Sequence, residues 1–182
     1  MKHSIFVLLL VAFLPAALVS ARGQVAASAR SSSLDLRAGA FFSVFQPDYA
    51  GNGVAQTSPN RLYGAGAYVD TFINRWVQPE IEMRWLRFNQ YLAIDENTYS
   101  IGDRVPVLTF HNLTPYGKFL IGFGNGSFLT GDSLVLTYGG GVDYRLSRRF
   151  TLRACDFEYQ QWRVTPALWP YGLSAGLSYK IF

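Results

Sequence analysis

Few residues in this chain have the type and spacing that chemistry needs. Outside the N-terminal segment the one histidine is His111, in a predicted turn over Phe110–Thr114. A turn histidine is normally a solvated residue, not a general base, and no serine and acid stand ready beside it to form a triad. Cys155, the single cysteine, excludes an internal disulfide. It falls on an apolar-facing position, where a thiol behaves as a small apolar group instead of a nucleophile. Gly122-Phe123-Gly124-Asn125-Gly126 lacks the spacing and the following helix of a dinucleotide loop. Gly139-Gly140-Gly141 lies inside a predicted strand, where missing side chains let others pack. Cysteine and histidine are never spaced as metal ligands. The expectation is no catalytic residue, no metal and no cofactor, hence no enzyme.

The ionisable residues follow another pattern: they recur at every second position. Glu80, Glu82 and Arg84 alternate with Ile81, Met83 and Trp85. Successive side chains of a strand point to opposite faces, so one face is greasy and the other polar. The same alternation marks strands at 34–45, 62–71, 77–88, 97–108, 115–124, 134–145, 151–161 and 171–181. The linkers between them run long, short, long, short: 46–61, 72–76, 89–96, 109–114, 125–133, 146–150 and 162–170. Strands of about 10 residues, joined alternately by tight turns and long loops, describe an up-and-down barrel threaded through a membrane. The predicted fold is all-β: an eight-stranded antiparallel up-and-down transmembrane barrel.

Which face is wet follows from size. The interior of an eight-stranded barrel is only just wide enough for side chains, and Trp85, Phe42, Phe119, Phe123, Phe157, Tyr138, Tyr144 and Tyr179 would overfill it. The bulky face therefore points to lipid, and the sheet must close because lipid offers no partner to backbone N–H and C=O groups. The inward faces then collect Asp35, Asp70, Glu80, Glu82, Asp143, Asp156 and Glu158 against Arg37, Arg84, Arg104, Lys118, Arg145 and Lys180. Near-balanced charges in a narrow interior should pair, since breaking a buried pair costs about 3–5 kcal/mol. The sequence thus predicts a plugged lumen holding an ion-pair network of Arg37, Glu80, Glu82, Arg84, Arg104, Lys118, Asp143, Arg145, Asp156 and Glu158.

Aromatic rings at the lipid–water boundaries are expected from Trp76, Trp85, Tyr99, Tyr144, Tyr159, Tyr171 and Tyr179. Trp162, Leu168 and Trp169 fall in the last long linker, as a belt anchor or a contact surface. Linker 46–61 is the longest and carries Tyr49 among flexible residues. Two residues fit poorly. Alternation sends Asp103 toward lipid unless a bulge or register shift rescues it. Arg153 is also sent outward, near a short turn, where it could snorkel. Pro79, Pro106 and Pro115 sit near strand ends, where a lost ladder donor is tolerated.

The 182 residues make room for one domain. Lys2 and His3 precede an apolar run, Ile5 to Val19, that is shorter than the roughly 20 residues of a spanning helix and contains Pro15. Val19-Ser20-Ala21 follows as a small-residue cleavage pattern, with Ala27 and Ala29 as further possible sites. The expected division is a signal peptide over 1–21, a short segment over 22–33 and the barrel over 34–182. A net charge of +4, scattered along the chain, does not suggest nucleic acid. Aromatic content of 16% with 17 glycines suits a β protein with a lipid-facing surface.

Tyr138–Trp162, YGGGVDYRLSRRFTLRACDFEYQQW, resembles the bacterial outer-membrane β-barrel domain family, the small eight-stranded relatives of OmpX and the OmpA membrane domain. Thr114–Gly124 and Leu62–Phe72 resemble that family's hairpins, so the likeness spans nearly all of the barrel. It implies a Gram-negative outer membrane, porin-like in setting, with outer-membrane lipid as surroundings. It also implies delivery by periplasmic chaperones and insertion by the barrel-assembly machinery, which reads a final amphipathic strand ending in an aromatic. LSAGLSYKIF, with Phe182 as the assembly signal, offers one. Lys180 stands where the family often has another aromatic. The expected role is structural or surface-interacting, as a monomer, with any binding through 46–61, 89–96, 125–133 and 162–170. The alternatives are a lipid A-modifying barrel enzyme and a narrow channel.

Overall fold

The computed structural model describes residues 35–48, 61–73, 77–87, 94–127 and 129–181. The expected signal peptide, the 22–33 segment, most of linker 46–61 with Tyr49, and Trp76 and Phe182 lie outside them. Eight strands follow in order: β1 (Asp35–Gln46), β2 (Leu62–Phe72), β3 (Gln78–Arg87), β4 (Glu96–Pro106), β5 (Leu113–Gly126), β6 (Ser133–Arg145), β7 (Phe150–Trp162) and β8 (Tyr171–Lys180). Each pairs antiparallel with its neighbours, and β8 returns to β1 to close the barrel. Closure leaves no edge strand, so every ladder is satisfied within the sheet.

Burial inverts the arrangement of a water-soluble protein. Phe42, Phe119, Phe123 and Leu173 are exposed on the outer wall, whereas Glu80, Arg84, Asp156 and Glu158 are fully buried. In β3 the alternation is unbroken, from Gln78 at the short-turn end through Glu80, Glu82 and Arg84 to Leu86 at the long-linker end.

Two outward or rim expectations are corrected by backbone detail, and a third stands. Arg153 does not face out: it is fully buried in the lumen. Register shifts between Val142 and Asp143 on β6, and between Arg153 and Asp156 on β7, mark a bulge there. Ala154 and Cys155 both point outward, which reverses the phase of β7 and turns Arg153 inward. Trp162 is likewise not a rim aromatic, because β7 continues through it and places its side chain fully inside. Asp103 receives no rescue. The β3–β4 and β4–β5 registers run without a shift, and it stays exposed opposite Pro79 and Phe119, near the short-turn end.

The lumen also holds more rings than the size argument allows. Phe41, Phe45, Tyr68, Tyr116 and Trp162 are all buried there. They fit because glycines face them: a Cβ at Gly172 would collide with the Phe45 ring, and one at Gly124 with the Trp162 indole.

Candidate functional site

The interior is layered along the barrel axis, and strand direction sets the order. At the long-linker end Phe45, Leu62 and Leu86 form one apolar cluster. Val135, Trp162 and Leu168 form a second, with Leu129 and Val164 packed against it. The indole Nε1 of Trp162 donates to Gln160 Oε1 at 3.1 Å, so its polar edge is satisfied. Asp48 Oδ2 accepts from the backbone N–H of Trp169 at 3.1 Å, tying the first long linker to the last.

Below these clusters lies a lattice of ion pairs. Arg84 pairs with Glu158 across the lumen and with Glu82 at 2.7 Å. Lys118 bonds Glu158, Glu82 (3.0 Å) and Asp156 (2.6 Å). Arg153 reaches Glu80, Asp156 at 3.2 Å and Glu82 at 3.6 Å. Arg104 meets Asp143 at 2.7 Å, Asp70 at 3.1 Å and Glu80 at 3.5 Å, and Arg37 meets Asp70 at 2.7 Å. Residues from β1 to β7 thus interlock through the centre of the barrel. Each carboxylate among Asp70, Glu80, Glu82, Asp156 and Glu158 serves at least two cations. Shared partners of this kind supply the attraction that offsets the desolvation of buried charge.

The arginines have a second kind of partner. Arg84 lies over Phe45, 4.5 Å from the ring centroid, Arg104 over Tyr116 at 3.7 Å, and Arg153 over Tyr68 at 3.6 Å. A flat, weakly hydrated guanidinium tolerates such stacking where an ammonium would not. Phe45 follows the inward face that alternation gives to β1, whereas Tyr68, Tyr116 and Arg153 are interior residues that the sequence reasoning missed. Tyr68 and Tyr116 were legible as inward positions, since each alternates in phase with Asp70 and Lys118 on its own strand.

Carboxylate oxygens of Glu82, Asp156 and Glu158 lie within 4.8 Å of one another, close enough to hold a metal ion. The Lys118 ammonium bonds all three and takes the place of such a cation. Of the expected interior set, Arg37, Glu80, Glu82, Arg84, Arg104, Lys118, Asp143, Asp156 and Glu158 come together. Arg145 does not. It is exposed at the end of β6, beyond the Arg104–Asp143 pair, with no carboxylate within ion-pair distance among the described residues.

On the outer wall the expected aromatics divide between two levels. Trp85, Tyr99, Tyr159 and Tyr171 lie toward the long-linker end, and Tyr144 and Tyr179 toward the short turns. Trp85 Nε1 donates to Tyr99 Oη at 3.2 Å, and Tyr159 stacks on Trp169 with centroids 5.6 Å apart. His111 stands in the β4–β5 turn with φ 54°, at the rim opposite the long linkers.

Below Arg104 the lumen opens into a cavity of about 1000 Å³ at the short-turn end, bordered by Arg37, Arg145, Arg148, Arg149, His111 and Lys180 among others.

The sequence profile of the outer membrane protein beta-barrel domain matches residues 7–180. No curated protein matches the chain. Among solved structures, Neisserial surface protein A is similar at 18% identity and a TM-score of 0.61, with 81% of this chain and 97% of that chain covered. OprG, an outer membrane protein of Pseudomonas aeruginosa, is similar at 12% identity and a TM-score of 0.56, with 81% and 96% covered. At these identities the likeness speaks for the barrel fold.

Proposed function

The chain belongs to the outer membrane protein beta-barrel domain family and resides in the outer membrane, and from that premise we propose a monomeric, non-conducting barrel with no enzymatic turnover. Its role is structural or surface-interacting, and any binding of a partner runs through the long linkers on the cell exterior. The observation that carries this reading is the double obstruction of the axis. Apolar side chains around Trp162 and Phe45 pack the long-linker end, and the cross-lumen lattice of Arg84, Lys118, Arg153 and Arg104 fills the middle. Water would have to break several buried pairs to pass, each break costing about 3–5 kcal/mol.

The barrel spans 34–182, after removal of 1–21 as a signal peptide and with 22–33 as a short lead-in. Periplasmic chaperones and the barrel-assembly machinery deliver it, with Phe182 as the terminal signal. The aromatics at the two levels of the outer wall anchor it at the lipid–water boundaries. Against lipid modification stands the position of His111, at the rim away from the long linkers, with no serine or acid hydrogen-bonded to it among the described residues.

Planar-bilayer recording of the refolded barrel tests the reading. The expected result is a folded, heat-modifiable protein without steady conductance. Steady single-channel currents would make it a channel. Changed lipid A acylation on overexpression, abolished by His111→Ala, would make it an enzyme.

A further inference from the structure

We propose that the short-turn mouth of the barrel binds a soluble anion carrying several phosphate groups. The site is the cavity of about 1000 Å³ below Arg104, and its wall is strongly biased in charge. Its carboxylates are Asp35 and Asp143, and both are already neutralised: Lys180 holds Asp35 at 3.0 Å, and Arg104 holds Asp143 at 2.7 Å. Arg145, Arg148 and Arg149 have no carboxylate within 4.0 Å among the described residues, although every arginine deeper in the lumen is paired. The positive excess therefore collects at the mouth.

These arginines are carried on a braced turn. Ser147 Oγ accepts from the backbone N–H groups of Arg149 and Phe150 at 3.2 and 3.1 Å. The Lys180 N–H donates to the Arg149 carbonyl at 2.7 Å, while Arg149 Nη1 donates to the outward-facing Tyr179 Oη at 3.1 Å, so Arg145 and Arg148 are the guanidiniums left to the mouth. Guanidinium forks match phosphate oxygens two at a time, and a concave wall of one sign concentrates the field that draws an anion in. The cavity lies at the upper end of the range that ligand-sized molecules fill. A lone phosphate would leave most of it empty, so the matching ligand carries several. Phosphate headgroups of the surrounding leaflet share this chemistry. Lumen residues Arg37, Arg104 and Asp143 line the cavity together with the short turns, which sets it within the barrel mouth and favours a soluble ligand.

This inference takes the lumen above Arg104 as closed, as the proposed function has it, but its binding chemistry does not depend on that closure. The test uses the full barrel in phosphatidylcholine nanodiscs titrated calorimetrically with tripolyphosphate. Saturable binding is expected, weakened about tenfold or more when Arg145 and Arg148 are both replaced by Gln, as the loss of charge-assisted hydrogen bonds implies. Arg61→Gln, exposed at the opposite rim, should leave binding unchanged. If the double variant does not fold, Arg148→Gln alone should still weaken binding measurably. Absent saturable binding, or binding indifferent to these substitutions, overturns the site. So does an effect seen only as altered retention of phosphatidylglycerol in nanodiscs made with that lipid, which would assign the arginines to headgroups. Conductance recorded on the same protein separates the two readings. Currents with intact tripolyphosphate binding remove the blocked lumen alone, and silence without binding removes the mouth site alone.

Discussion

The Arg153 guanidinium lies 3.6 Å from the centroid of the Tyr68 ring, bridging β7 to β2 across the lumen. The same side chain bonds Glu80 on β3 and Asp156 on its own strand. One bulge-directed arginine therefore joins three separate parts of the wall.

Arg153→Ala should be among the most damaging single changes. It leaves Glu80 and Asp156 with less compensation in a dry interior, a loss of about 3–5 kcal/mol. Arg145→Ala, at an exposed position, should stay within about 0.5 kcal/mol. Urea unfolding of the lipid-refolded barrel measures both. Equal midpoints for the two variants would contradict the interior placement of Arg153.

Lys118→Met should leave three carboxylates, Glu82, Asp156 and Glu158, facing one another without their shared ammonium. Stability should fall by a similar amount, about 3–5 kcal/mol, and calcium present during refolding should restore part of it. The native protein should show no calcium effect on its unfolding midpoint. A calcium effect of equal size in both proteins would refute the role given to the lysine.

Gly124→Val should drive a branched side chain into the Trp162 indole. Overpacking of this kind costs about 1–3 kcal/mol. In a variant retaining Trp162 as its one tryptophan, emission should shift red as the ring leaves the apolar cluster. Unchanged emission and stability would mean that the indole does not rest on Gly124.

Lipid-borne quenchers provide a direct test of inside and outside. In single-tryptophan variants, brominated acyl chains should quench Trp85, which lies on the outer wall, and should spare Trp162. Efficient quenching of Trp162 would place it back at the rim.

Much of this architecture is local and so was legible in the chain. Alternation at period two is a property of the extended backbone itself, which is why the β3 residues Gln78 to Leu86 could be assigned to faces one by one. The outward rings of Phe42, Phe119 and Phe157 followed from the narrowness of an eight-stranded interior. Arg153 and Trp162 were not legible for different reasons. Arg153 obeys a phase set by a bulge over Ala154 and Cys155, which no residue type announces. Trp162 depends on β7 running one residue further and on Gly124 leaving room across the lumen.

What the sequence determined by itself was the strand number, the order of turns and the polarity of each face, because these depend only on neighbours along the chain. Partner choice inside the lumen was decided by tertiary structure. Closing β8 onto β1 sets the stagger that puts Arg84 opposite Glu158, lays Arg104 on Tyr116, and leaves Arg145 below the last acid. Charge distances across a closed barrel depend on that stagger, and no single strand contains it.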